Sequence, residues 1–209
     1  MREYSAEFEG GRKLPVVEEF YSIQGEGFHT GKAAYFIRVG GCDIGCSWCD
    51  TKLSWDPSVH PVVPVEQIVA RAVSYPARAV VVTGGEPLMA DLEYLTGLLK
   101  EKGMETFLET SGAYPLTGMW DWICLSPKKN APPQQDFYAR ADELKVIIFE
   151  EDDFRWADAQ AEKVHGRCRL FLQPEWSRRE EMMPGIIARV KDHPRWRISL
   201  QVHKYMRIP

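Results

Sequence analysis

Short apolar segments alternate with segments of helical periodicity along most of this 209-residue chain. Such alternation predicts right-handed βαβ units and a mainly parallel sheet. Runs rich in β-branched and aromatic residues predict strands over residues 34–39, 79–82, 106–108, 122–125, 144–148, 170–172 and 198–202. Apolar residues at three- and four-residue spacing predict helices over residues 65–74, 92–101, 154–165 and 178–190.

The length of the chain limits how far such a sheet can close. A complete eight-fold barrel takes about 250 residues. Two connections, residues 112–121 and 127–142, also lack a clear helical pattern. We therefore expect an α/β fold with a shortened or partial (β/α) barrel, formed by a single domain over residues 1–209. Residues 1–15 are interpreted as an N-terminal extension.

Charge and hydropathy exclude several classes of protein. The chain has 26 Lys and Arg against 30 Asp and Glu, a formal net charge of −4, and lacks the basic stripe of a nucleic-acid-binding domain. Its longest aliphatic run, residues 79–82, is far shorter than the ~20 apolar residues that span a bilayer. The first twenty residues are acidic and have no apolar core of a signal peptide. We expect a cytoplasmic protein that binds neither nucleic acid nor membrane.

Polar motifs directly follow five of the predicted strands. They are residues 83–87 (TGGEP), 109–112 (ETSG), 126–128 (SPK), 173–174 (QP) and 203–204 (HK). Parallel α/β folds bind ligands at the carboxyl ends of their strands. Turn chemistry would explain the Gly and Pro in these motifs but not the Glu, Lys, Gln and His beside them. The motifs are therefore predicted to line one site.

Three of the five cysteines lie within eight residues, in a loop over residues 40–51. Cys42, Cys46 and Cys49 have the spacing C-x3-C-x2-C, whereas Cys124 and Cys168 stand alone. An odd number of cysteines in a cytosolic chain argues against a disulfide framework. Structural zinc usually takes four ligands, often from two knuckles, and the sequence has no second knuckle. Three thiolates instead suit a [4Fe–4S] cluster with one open iron.

The cysteine spacing, with Trp48 before the third cysteine, resembles the signature of the radical S-adenosylmethionine superfamily. Residues Gly84, Gly85 and Glu86 resemble the GGE motif of that superfamily. The resemblance implies that the methionine moiety of S-adenosylmethionine chelates the open iron. It also implies that the cluster donates an electron and releases a 5′-deoxyadenosyl radical. Glu86 would then meet the methionyl ammonium.

The same resemblance assigns further residues to the cofactor. Ser126 and Lys128 would meet the methionyl carboxylate, and Glu109, Ser111 and Gln173 would surround the ribose or the sulfonium. For Glu109, an equally good alternative is a strand-end carboxylate bonded to a backbone amide. The full set of expected cofactor-binding residues is Trp48, Asp50, Gly84, Gly85, Glu86, Glu109, Ser111, Ser126, Pro127, Lys128 and Gln173.

Four other segments narrow the resemblance to one family. Residues 23–27 (IQGEG), 36–38 (FIR), 49–51 (CDT) and 201–204 (QVHK) together resemble the 7-carboxy-7-deazaguanine synthases, from about Val17 to the end of the chain. That family converts 6-carboxy-5,6,7,8-tetrahydropterin to 7-carboxy-7-deazaguanine with loss of ammonia, in queuosine and related deazapurine biosynthesis. The resemblance implies a homodimer that uses Mg²⁺ beside the cluster and takes electrons from a flavodoxin-like or ferredoxin-like donor.

The residue types suit such a substrate. Gln24 and Glu26 can bind the N–H donors of an aminopyrimidinone edge, and the fork of Arg38 can bind a carboxylate, although Arg38 could instead face solvent. His203 could contact substrate or be satisfied by backbone. Thr51 is the expected Mg²⁺ ligand. The expected substrate-binding residues are Ile23, Gln24, Gly25, Glu26, Arg38, Thr83, His203 and Pro209, the last through its terminal carboxylate.

Two alternative functions share part of this pattern. A glycyl-radical activating enzyme has the same cysteine and GGE motifs but acts on a protein backbone glycine. The segments at residues 24–27 and 203–204 favour a small-molecule substrate over that reading. A small electron-transfer or zinc-binding module would need neither the GGEP motif nor the row of polar strand ends.

Overall fold

A computed structural model of the protein describes residues 8–209. Over that part of the chain, nine strands form one sheet. In chain order they are β1 (Lys13–Ile23), β2 (Ala33–Val39), β3 (Val62–Pro64), β4 (Ala79–Gly84), β5 (Glu105–Thr110), β6 (Trp122–Leu125), β7 (Glu143–Ile148), β8 (Arg169–Pro174) and β9 (Trp196–Ile198). The helices are α1 (Val65–Val73), α2 (Glu93–Glu101), α3 (Gln135–Arg140), α4 (Asp152–Ala161), α5 (Arg179–Asp192) and α6 (Val202–Met206).

Seven of the strands are parallel, in the order β2-β4-β5-β6-β7-β8-β9. The other two, β1 and β3, extend the sheet beyond β2 in antiparallel pairings. Because β3 and β9 are edge strands that do not pair with each other, the barrel is open. The prediction of a partial barrel with a mainly parallel sheet is confirmed.

The two faces of the sheet have different roles. On the outer face, strand residues such as Val80 and Val82 join a large core with apolar residues of the helices, among them Ile68 and Leu95. On the inner face, Val81 belongs to a smaller cluster with alanines and phenylalanines of neighbouring strands. The inner face therefore leaves space above this cluster at the carboxyl ends of the strands. None of the helices within residues 8–209 has the length and apolar character needed to cross a membrane.

The structure corrects the predicted end of the sheet. The last strand was expected over residues 198–202, but β9 ends at Ile198 and α6 begins at Val202. The backbone N–H of Val202 donates to the carbonyl of Gly25 at 2.9 Å, so the chain leaves the sheet to contact the loop after β1. The motif at residues 203–204 thus lies on a short helix rather than at a strand end.

Two further differences concern the N-terminal half and the short connections. β1 and β3 were not predicted, nor was α3 within the segment over residues 127–142. Residues 13–15, assigned from the sequence to an N-terminal extension, belong to β1 and pair with β3. Residues 1–7 of that extension lie outside the described residues.

Candidate active site

The carboxyl ends of the parallel strands open into one cavity of about 300 Å³. With one exception, every site residue expected from the sequence lines this cavity. The exception is Pro127, which is buried between two lining residues, Ser126 and Lys128. The fold thus brings together motifs that are as far apart in sequence as Ile23 and Pro209.

The cysteine loop forms one wall of the cavity. Cys42, Cys46 and Cys49 all line it, and none of them is in a disulfide. The loop is held in place by the segment that follows it in sequence, because the N–H of Cys42 donates to the carbonyl of Trp55 at 3.1 Å. Burial raises the pKa of the Cys42 and Cys46 thiols. The Lys128 ammonium opposes this shift at Cys46.

The donor set of this loop fits a cluster better than a single ion. Three thiols face one shared space, and thiolates are the usual ligands of iron–sulfur clusters. Among the described residues, no three Cys, His, Asp or Glu side chains are arranged to hold one metal ion. A structural zinc site would instead gather four such groups around one point.

The turn after β4 packs directly against the cysteine loop. The N–H of Gly85 donates to the Val39 carbonyl at 3.1 Å, and the N–H of Glu86 donates to the Gly41 carbonyl at 2.8 Å. A Cβ at Gly85 would lie 2.5 Å from the Gly41 oxygen and 2.6 Å from the Cβ of Cys42. Only glycine allows this approach, which leaves the backbone of the turn open to the cavity.

The carboxylate of Glu86 is oriented differently from the sequence-based expectation of a direct contact with an ammonium. One oxygen accepts from the Thr110 hydroxyl at 2.6 Å and from the Leu88 N–H at 3.1 Å. The other accepts from the N–H and the hydroxyl of Ser111, at 2.8 and 2.5 Å. Its acceptor capacity is thus filled by the protein. Glu86 ties the turn to the end of β5 and orients Ser111, while the backbone of the turn faces the cavity.

Ser126 and Lys128 lie at the end of β6. The Lys128 ammonium donates to the backbone carbonyl of Ser126 at 2.5 Å and to its hydroxyl at 2.8 Å. It also lies 5.7 Å from the centre of the Trp48 ring. Burial lowers the pKa of Lys128. On β8, the buried Gln173 accepts a hydrogen bond from the Ser199 hydroxyl at 2.6 Å, which fixes its amide in the cavity wall.

The loop after β1 places two polar side chains in the cavity wall. The Gln24 side-chain oxygen accepts from the N–H of Glu26 at 3.1 Å. The Glu26 carboxylate accepts from Lys145 at 2.6 Å and from Gln201 at 3.0 Å. Burial by itself would raise the pKa of Glu26. The Lys145 charge and the hydrogen bonds from Gln201 and Gln173 outweigh burial, so this pKa lies below its usual value.

Lys145 was not identified from the sequence. It lies in β7, lines the cavity, and also donates to Glu109 at 2.8 Å. The other Glu109 oxygen accepts from Gln24 at 3.4 Å. Glu109 is therefore bonded to side chains in the cavity wall, rather than to a backbone amide as in the alternative considered from the sequence. A single lysine in the apolar run over residues 144–148 was the signal that could have identified Lys145.

The remaining polar groups lie beside the cysteine loop and on β2. The Thr51 hydroxyl donates to Asp50 at 3.1 Å, and Asp50 accepts from Lys204 of α6 at 2.9 Å. Burial alone would raise the pKa of Asp50. The hydrogen bond and the charge of Lys204 outweigh burial, so this pKa lies below its usual value. Arg38 donates through Nε to Glu18 on β1 at 2.7 Å and lines the cavity, as does Thr83.

The C-terminal segment covers the side of the cavity formed by the loop after β1. A Cβ at Gly25 would lie 2.3 Å from Nδ1 of His203, so glycine is required for this contact. Burial lowers the pKa of His203. The Ser22 hydroxyl donates to a backbone oxygen of Pro209 at 2.9 Å, which holds Pro209 at the cavity wall.

Comparisons with known proteins agree with this arrangement. Residues 36–124 match the model of the radical SAM superfamily. The crystal structure of QueE from Escherichia coli is similar to the whole fold, with a TM-score of 0.80 and 30% sequence identity, covering 94% of this chain and 97% of that one.

Two curated relatives of this chain have the same name. The 7-carboxy-7-deazaguanine synthase of Flavobacterium psychrophilum is 55% identical over 208 residues, covering 100% of this chain and 99% of the relative. The protein of the same name from Synechocystis is 50% identical over 192 residues, covering 92% of each chain. Likeness of this extent shows that the chain belongs to the 7-carboxy-7-deazaguanine synthase family of radical S-adenosylmethionine enzymes.

Proposed function

We propose that this chain converts 6-carboxy-5,6,7,8-tetrahydropterin to 7-carboxy-7-deazaguanine with loss of ammonia. One observation carries the proposal. A single cavity is lined by the three-cysteine loop, the glycine turn and the polar groups Gln24, Glu26 and Arg38. Residues suited to the cofactor and residues suited to a small polar ring thus share one cavity. The curated relatives bear the name of the enzyme that makes this product.

The cofactor side of the cavity is formed by the chain's own thiols and backbone. Cys42, Cys46 and Cys49 would hold the [4Fe–4S] cluster, and the turn at Gly84 and Gly85 would lie against S-adenosylmethionine. When bound, the cluster and S-adenosylmethionine supply a 5′-deoxyadenosyl radical.

The substrate side of the cavity has residues that can bind the N–H donors and the carboxylate of the pterin. After its bonds to Lys145, Gln201 and Gln173, Glu26 keeps one acceptor site, which can bind an N–H group of an aminopyrimidinone. Arg38 bonds Glu18 through Nε, so its two terminal nitrogens are available for the substrate carboxylate. His203 and Thr83 also line the cavity.

The test is an anaerobic assay of the protein with reconstituted cluster, S-adenosylmethionine, Mg²⁺, a chemical reductant and the carboxypterin. Formation of 7-carboxy-7-deazaguanine, measured by liquid chromatography and mass spectrometry, is the expected result. Cleavage of S-adenosylmethionine without that product would contradict the proposal and favour a different radical substrate. Omission of the carboxypterin gives the background of uncoupled cleavage.

Thr51 is expected to serve the Mg²⁺ requirement. Its hydroxyl oxygen lies in the cavity wall beside Asp50, and Mg²⁺ prefers oxygen ligands while keeping several waters. Thr51→Ala should raise the Mg²⁺ concentration needed for half-maximal turnover by about tenfold, whereas Thr51→Ser, which retains the hydroxyl, should change it little. Turnover at varied Mg²⁺ measures this. An unchanged Mg²⁺ dependence in Thr51→Ala would remove Thr51 from the metal site.

Two predictions about partners belong to the same proposal: the protein forms a homodimer, and it takes electrons from a flavodoxin-like or ferredoxin-like donor. Light scattering of the purified protein measures the first, and a monomer at micromolar concentration would contradict it. Turnover supported by a reduced flavodoxin or ferredoxin, in place of a chemical reductant, measures the second.

A further inference from the structure

Lys145 is a buried charge in an otherwise apolar strand. It lies between Leu144 and Val146, and only 4% of its surface is exposed. Its ammonium donates to Glu26 at 2.6 Å and to Glu109 at 2.8 Å. Burying an ammonium is costly unless it is paired. The two carboxylates therefore stabilise Lys145, and Lys145 in turn stabilises them.

The three charged groups come from separate parts of the fold. Glu26 belongs to the loop after β1, Glu109 to the end of β5 and Lys145 to the middle of β7. Gln24 joins them into a ring, since its amide bonds both the Glu26 N–H and the Glu109 carboxylate. All four residues line the cavity. The ring thus fixes two carboxylates in the cavity wall.

We propose that Lys145 is a positioning residue for the substrate: its ammonium pairs with Glu26 and Glu109 and fixes both carboxylates, so that Glu26 presents an acceptor to the N–H edge of the pterin. The inference rests on the proposed function and deepens it. It assigns the selectivity for an N–H-rich ring edge to a hydrogen-bonded group of three charged residues instead of to Glu26 alone.

Loss of the ammonium would leave two carboxylates in one buried site. When two carboxylates share one buried site without a cation, their repulsion raises the pKa of one of the two carboxyl groups. A protonated Glu26 would offer a donor where the substrate also offers a donor. The charged and titratable groups that face Lys145 are Glu26 and Glu109, Cys124 of β6, Lys128 after β6, Glu143 of β7 and His203 of α6.

None of these other groups replaces the lost charge. Burial keeps the Cys124 thiol neutral by raising its pKa well above the usual value. Burial also raises the pKa of Glu143 to about 7. The Lys128 ammonium already donates to the backbone carbonyl and the hydroxyl of Ser126, and burial lowers the pKa of His203. In a Lys145→Met variant, no ammonium would therefore pair with Glu26, and burial would raise the pKa of its carboxyl above the wild-type value.

The experiment compares Lys145→Met, Lys145→Arg and the double variant Lys145→Met/Glu109→Gln with the wild type, each with reconstituted cluster. The KM for the carboxypterin and kcat are measured over roughly pH 6 to 9. Lys145→Met should raise KM about tenfold or more at pH 7, and its KM should fall as pH rises and the pair ionises. The double variant should recover most of the lost affinity, because Glu26 is then the only carboxylate of the pair.

The remaining outcomes separate this inference from the proposed function. Wild-type turnover of the carboxypterin decides the function, whereas the ratio of variant to wild-type KM decides the role of Lys145. Lys145→Arg keeps the charge and should shift KM less than Lys145→Met. If Lys145→Met has poor cluster loading, binding of the carboxypterin to cluster-free protein replaces KM. A Lys145→Met variant with wild-type affinity and a wild-type pH profile would overturn the proposal, as would a double variant no better than the single one.

Discussion

Replacement of Cys42, Cys46 or Cys49 by alanine is expected to abolish both cluster assembly and turnover, whereas Cys124→Ala and Cys168→Ala retain their iron. Each of the three loop cysteines lines the cavity, and a cluster with one open iron needs three protein thiolates. Loss of one cysteine leaves too few thiolates to hold the cluster. Iron and acid-labile sulfide analysis of anaerobically reconstituted protein, with the visible absorption of the cluster, measures the result.

The two control cysteines have the same thiol side chain as the three loop cysteines but lie outside the cavity. Cys124 is 1% exposed on β6, and its sulfur lies 3.6 Å from a Glu143 oxygen. Cys168 is 6% exposed, before β8. Neither lines the cavity. A Cys124→Ala or Cys168→Ala variant without iron would overturn the ligand assignment, and so would a loop variant with normal iron content.

The parallel part of the sheet could be predicted from the sequence because its strands are buried on both faces. Continuous apolar runs such as residues 79–82 and 170–172 mark such strands without information from neighbours. Polar residues at their carboxyl ends then predicted one site, since parallel strands end at one edge. This reasoning depends only on local pattern and a general topological rule.

β1 could not be predicted in the same way because tertiary pairing determines it. Its residues include Pro15 and the adjacent Glu18 and Glu19, and a register shift between Val16 and Glu18 breaks the alternation of its side chains. The strand is held by backbone bonds to β2 and by side-chain pairs such as Glu18 with Arg38. Such long-range partners leave no local period in the sequence.

In the candidate site, too, local sequence pattern predicted some features and tertiary packing determined the others. Nearly every residue that motif chemistry identified lines the cavity, but the motifs gave no orientation for the side chains. Glu86 was expected to face an ammonium, yet it bonds Thr110, Ser111 and Leu88. Lys145 was missed because a strand lysine is usually exposed. Both outcomes depend on packing between strands distant in sequence.

The contact between the glycine turn and the cysteine loop leads to the second large expected effect. The N–H of Glu86 bonds the Gly41 carbonyl at 2.8 Å, so the two segments hold each other in place. The space between them is too small for a methyl group at Gly85, because its atoms would meet the Gly41 oxygen at 2.5 Å and the Cβ of Cys42 at 2.6 Å. Real side-chain carbons do not approach backbone this closely, so the loop would have to move.

Gly85→Ala is therefore expected to displace Cys42 and reduce turnover by about 100-fold, since displacements near 1 Å at a reacting site have effects of this size. Cluster content should fall as well, because Cys42 is one of three ligands. Gly97→Ala is the matched control: in α2 the nearest atom to the new methyl group is the Met119 methyl at 3.9 Å, and the substitution should stabilise the helix by about 0.5–1 kcal/mol. Iron content, turnover and urea unfolding of the two variants measure the difference. A Gly85→Ala variant with normal iron and turnover would show that the loop can shift without loss of the site.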